Sequence, residues 1–112
     1  MEKMRILVAN DPCTYREAIT GALSELRPHV EVSTIEPGGL DGEIERLHPH
    51  LVVCSCPCAA AQNGTLSWVM LYPDGDNRAE IVTAGERATV AGIRFGDLLS
   101  IVDSTELLCR SA

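Results

Sequence analysis

The sequence predicts an α/β fold: a mainly parallel sheet with helices on both faces, completed by a β-hairpin and a last helix. Three observations carry this reading. Apolar, β-branched runs alternate with amphipathic stretches of helical spacing through Cys54, which is the pattern of βαβ units. One run, "LVVC" from Leu51 to Cys54, is apolar at every position, as a strand covered on both faces requires. Two β-rich runs then flank a glycine in "EIVTAGERATV", the mark of a hairpin.

Each element follows from its residues. "RILVA", Arg5 to Ala9, reads as a buried strand that ends at Asn10-Asp11-Pro12. Asp11 can cap the next helix and Pro12 suits its first position. Tyr15, Ala18, Ile19, Ala22, Leu23 and Leu26 form its apolar stripe, and Pro28 stops it. Val30 to Ile35 alternates as a strand. Leu40, Ile44 and Leu47 give a short second helix that ends at Pro49. After "LVVC", the stretch "CPCAAAQNGTLS" is a loop, and Trp68 to Tyr72 is a fourth buried strand closed by "PDGDN". A two-residue turn at Gly85-Glu86 predicts strands at Ala79 to Thr83 and Arg87 to Ala91, with Ile81 opposite Val90 and Val82 opposite Thr89. Phe95, Leu98, Leu99 and Val102 start a final helix expected to reach about Leu108.

Composition narrows the class. The 112 residues suit one domain, 1–112, and 46% apolar with 22% charged residues makes it globular rather than disordered. The formal net charge of −7, with no cluster of Arg or Lys, argues against nucleic acid and against anionic membrane surfaces as partners. "MEKMRILVAN" lacks the apolar stretch of a signal peptide, and no run is long enough to span a bilayer. Five cysteines, an odd number beside a good apolar core, fit a reducing compartment. The expected location is therefore the cytoplasm.

In parallel sheets, functional groups gather at the carboxyl ends of the strands. Here those ends are Asn10-Asp11, Ser55-Cys56 and Tyr72-Pro73-Asp74. "MRILVANDPCTYREAITGAL" resembles the first strand, acidic loop and first helix of response-regulator receiver domains. "HPHLVVCS" resembles the third strand with its phosphoacceptor, and "RFGDLLSIVD" resembles the start of the last helix. The resemblance covers residues 4 to 72 and breaks between Pro73 and Gly92. It implies a three-layer, flavodoxin-like parallel sheet in which a β-hairpin replaces the fourth-helix region.

The resemblance also exposes what is missing. Receiver phosphorylation needs an aspartate nucleophile, carboxylates for Mg²⁺, a hydroxyl for the phosphoryl group and a lysine. Ser55 falls at the nucleophile position, and an unactivated hydroxyl is a poor nucleophile. The acidic pair becomes Asn10-Asp11, which leaves a weak site for a hard cation. Tyr72 or Pro73 lies in the region of the switch hydroxyl. Lys3, the single lysine, precedes the first strand, and Ile93-Arg94 stands where Lys-Pro would precede Phe95. Asn10, Asp11, Ser55 and Tyr72 thus form a degenerate phosphorylation pocket, with no catalytic residue, metal or cofactor expected.

The remaining candidates are thiols and histidines. Cys13, Cys56 and Cys58 fall at one edge of the sheet, where they could form a thiol site, whereas Cys54 reads as a buried small hydrophobe. Three sulfurs fall short of a closed zinc site, and His48 and His50 lie at the far end of the third strand. His29, His48 and His50 read as surface or helix-end residues. The reading is a pseudo-receiver that is not an enzyme and acts as a protein–protein interaction module in bacterial signalling or regulation. Its partner would be another protein or a second copy, met through the hairpin, which can leave an unpaired strand edge, and the Phe95 to Leu108 helix, with Ile81, Val90, Phe95 and Leu98 as the candidate contacts. The alternatives are a thiol-based redox or metal sensor and a small-molecule-binding regulatory domain.

Overall fold

The computed structural model describes residues 4–10, 13–55, 67–71, 78–83 and 86–111. Their order is β1 (Arg5–Ala9), α1 (Cys13–Leu26), β2 (Glu31–Thr34), a single 3-10 turn (Pro37–Gly39), α2 (Leu40–Leu47), β3 (Leu51–Cys54), β4 (Ser67–Leu71), β5 (Arg78–Thr83), β6 (Glu86–Ala91) and α3 (Phe95–Ser111). The six strands form one sheet in the order β2-β1-β3-β4-β5-β6. The first four run parallel, and β5 and β6 are antiparallel additions. The sheet is therefore mixed, which corrects the parallel expectation. The chain between Leu71 and Arg78 is too short for a parallel crossover, which takes a dozen residues or more, so β5 must return antiparallel.

The hairpin is where the sequence predicts it, but its register differs. Thr83 pairs with Glu86, Ile81 with Ala88, Ala79 with Val90, and Val82 with Arg87, rather than Ile81 with Val90 and Val82 with Thr89. The turn is one residue earlier than Gly85-Glu86. This register pairs all six residues of β5 with all six of β6. It also sets Arg87 beside the Trp68–Val82 pair, with its guanidinium carbon 6.0 Å from the centre of the Trp68 ring.

Period-two alternation divides the strands between two apolar layers. Ile6, Val8, Leu51, Val53, Val69, Leu71, Ala79 and Ile81 pack on one face against Ile19 and Leu23 of α1 and Leu98 and Val102 of α3. Leu7, Ala9, Val52, Cys54, Trp68 and Met70 pack on the other against Leu40, Ile44 and Leu47. Helices thus cover both faces, and every residue of β3 is buried. The stripe on α1 is narrower than its spacing implies. Ile19 and Leu23 are buried, while Tyr15 and Leu26 at its ends stand about half exposed, at 52% and 49%.

Local signals set the helix ends. His48 takes a left-handed conformation after α2 and its N–H bonds to the Ile44 carbonyl, so a non-glycine residue serves as the cap. At the start of α3 the Arg94 N–H donates to the Asp97 carboxylate while the Asp97 N–H returns to the Arg94 carbonyl, a reciprocal cap. α3 runs beyond Leu108 to Ser111, and within it the buried Thr105 hydroxyl donates to the Ile101 carbonyl. Among the described residues no helix is long and apolar enough to cross a membrane.

Two contacts pin α3 to the end of α1. Arg27 makes a forked pair with Asp103 at 2.8 and 2.9 Å, and His29 meets Glu106 at 3.0 Å. The hydrogen bond from Arg27, aided by its charge, holds the Asp103 carboxyl below the usual carboxylate range. A carboxylate depressed on folding adds stability above its unfolded value, and that stability is lost as pH falls through the folded value. Asp103→Asn should therefore melt lower than the natural chain at neutral pH. The gap should shrink below about pH 4, where the unfolded carboxyl protonates, and the effect is modest because the pair is part exposed. Thermal melts from pH 7 to pH 3 check this.

Candidate functional site

Two places on the sheet offer themselves. The first is the carboxyl edge of the central strands. Ala9 pairs with Cys54, so Asn10 and Ser55, the next residues, leave the sheet side by side. This is the point where β1 sends its chain toward α1 and the strand order reverses, the usual position for a site in such a sheet. The structure thus brings Asn10 and Ser55 together. Asp11, Tyr72, Cys56 and Cys58 lie outside the described residues.

Asn10 is an unusual occupant. Its side chain is completely buried, and among the described residues neither the amide nitrogen nor the amide oxygen has a hydrogen-bond partner. Its backbone carbonyl accepts from the Arg16 guanidinium at 3.3 Å. Buried polar groups are nearly always paired, and an unpaired one costs about 1–3 kcal/mol. A neutral, buried amide offers no anionic ligand to a hard cation. Ser55 is half-buried.

The thiols separate rather than cluster among the described residues. Cys13 is exposed at the start of α1, with its Sγ 3.6 Å from the Glu17 carboxylate. Cys54 is buried in β3 and points its Sγ at the Val69 carbonyl, 3.7 Å away. His50 stands at the opposite, amino end of the strands, where its Nδ1 accepts from the Arg5 N–H at 2.9 Å.

The second place is the outer edge of β6. It ends the sheet, and Arg87, Ala88, Thr89 and Ala91 are exposed. Of the apolar residues expected at an interface, Ile81 and Leu98 are buried in the core beneath α1 and α3, which removes them from any contact surface. Val90 and Phe95 are only partly buried against that core. Sequence reasoning named apolar side chains and the unpaired edge of the hairpin together; the strand at that edge is β6. Along that edge Arg87, Ala88, Thr89 and Ala91 are exposed, and the position of the two-residue turn sets which of them face away from β5.

Comparison of the chain with family models, curated proteins and solved structures finds no match.

The unpaired amide yields a test. Asn10→Leu keeps the approximate shape and removes two desolvated polar atoms, so it should leave stability unchanged or raise it by about 1 kcal/mol. Asn10→Asp should lower it by at least about 1–3 kcal/mol, because a buried carboxylate would lack a partner. Urea midpoints of the three proteins decide between these outcomes.

Proposed function

We propose that this chain is a receiver-like domain without phosphorylation chemistry, acting as a protein–protein docking module. The observation that carries the reading is a buried, neutral Asn10 next to Ser55 at the carboxyl edge, together with a β6 that is the last strand of the sheet among the described residues. The strand order β2-β1-β3-β4, with α1 and α3 on one face and α2 on the other, supports a receiver-like arrangement of the first part of the chain. The antiparallel β5–β6 hairpin takes the place of the family's fourth helix and parallel fifth strand.

The chemistry follows from the residues. Aspartyl phosphorylation begins with a carboxylate oxygen attacking phosphorus, and Ser55 puts a hydroxyl where that carboxylate would stand. A Mg²⁺ ion would have to neutralise the transferring group, and Asn10 brings no charge to hold it. The lysine that would meet the incoming phosphoryl oxygen has no counterpart, since the buried Ile93 stands at that point in the chain. Such a module transmits its signal through contact alone, in bacterial signalling or regulation and without a cofactor.

Incubation with acetyl phosphate and Mg²⁺ should leave the intact mass unchanged. Ser55→Asp should also remain unmodified, because the second acidic ligand and the lysine are still missing. A stoichiometric phosphoryl adduct on the natural chain would overturn the reading.

A further inference from the structure

We propose that the partner at the β6 margin is a second copy of this chain, joined by antiparallel pairing of β6 with β6 about a two-fold axis at Thr89. The inference rests on the docking reading above and deepens it. Two six-stranded sheets would become one continuous sheet.

The backbone geometry selects the bonding groups. Thr83 and Glu86 pair across two intervening residues, and an antiparallel pair that closes so short a turn is of the hydrogen-bonded kind. Pair types alternate along the ladder, so Ala88 and Val90 also turn their N–H and C=O groups toward β5. Arg87, Thr89 and Ala91 turn theirs outward. In a self-pairing centred on Thr89, these three outward residues meet their own kind: Arg87 faces Ala91 of the second copy, and Thr89 faces Thr89. Each facing pair of this type exchanges two bonds, giving about six inter-chain backbone hydrogen bonds.

The side chains permit the approach. Ala88 would lie opposite Val90 of the second copy, and the axis carries a Thr–Thr pair, a favourable cross-strand combination. No two like charges fall opposite each other, since Arg87 faces an alanine. The edge also lacks the usual protection, with no proline, no lysine and an unbroken ladder of six residue pairs to β5. The other margin of the sheet is different: β2 is only four residues long and begins with the exposed Glu31. Charge agrees with this choice. Residues 78 to 94 carry Arg78, Arg87 and Arg94 against Glu80 and Glu86, so the hairpin region is mildly positive in a chain of net charge −7. Joining copies at this margin keeps their acidic remainders apart.

Sedimentation of the full chain tests the proposal. The natural sequence should show a dimer by about 100 µM, the concentration expected to populate a micromolar complex. Thr89→Lys places two like charges across the axis, and Thr89→Pro removes an outward N–H without touching the ladder to β5. Both should sediment as monomers, with association weakened about tenfold or more, while the far-UV spectrum is kept. Thr89→Lys is the deciding variant if the proline disturbs folding. A natural chain that stays monomeric throughout, or a dimer that survives Thr89→Lys, would overturn self-pairing. Either result without a phosphoryl adduct leaves the docking reading standing, whereas an adduct would remove that reading itself.

Discussion

The structure depends on burying two central strands on both faces. Val8, Ala9, Leu51, Val52 and Val53 have no measurable exposure. A strand so apolar cannot sit at a margin or face water on one side, so β1 and β3 must be flanked by other strands and roofed by helices above and below. That requirement fixes the rest. α1 and α3 cover one face and α2 the other, and β2 and β4 take the flanks. Fully burying side chains of this kind contributes about 1.5–3 kcal/mol each, far more than the exposed ion pairs can supply. The Arg27–Asp103 pair therefore orients α3 on a sheet whose layers are already set by apolar contact.

The same requirement weakens toward the β6 end. Moving outward from β4, burial falls from a strand that is buried throughout to one whose residues 87, 88, 89 and 91 are exposed. Arg87 places its guanidinium over the Trp68 ring of the second layer from the margin. Among the described strands, nothing pairs with the outer side of β6. The chemistry left over by the fold is thus an edge of amides and carbonyls, while the carboxyl edge holds a neutral, buried Asn10.

Much of this was legible in the sequence, and the reasons are local. β1 and β3 announced themselves by continuous apolar runs, and α2 by Leu40, Ile44 and Leu47 between breakers. The hairpin was visible in the β-branched residues around Gly85. Three things were not legible. The antiparallel return of β5 depends on the shortness of the chain after Leu71, which outweighs the parallel pattern established before it. The hairpin register depends on pairing the full length of both strands and on Arg87 meeting Trp68, a contact between residues far apart in sequence. The isolation of the Asn10 amide depends on the packing around it, because asparagine at a strand end ordinarily finds a partner. At the candidate interface, spacing marked Ile81 and Leu98 as apolar but gave no sign of which side of the sheet would consume them.

Residue-resolved amide exchange along β6 tests the central claim most directly, that a hairpin leaves a free and ordered backbone edge. At low concentration, Ala88 and Val90 should be protected and Arg87, Thr89 and Ala91 should exchange quickly, a period-two pattern that only a paired edge strand produces. Uniformly fast exchange from Glu86 to Ala91, or protection that continues through every residue as in a helix, would contradict the account.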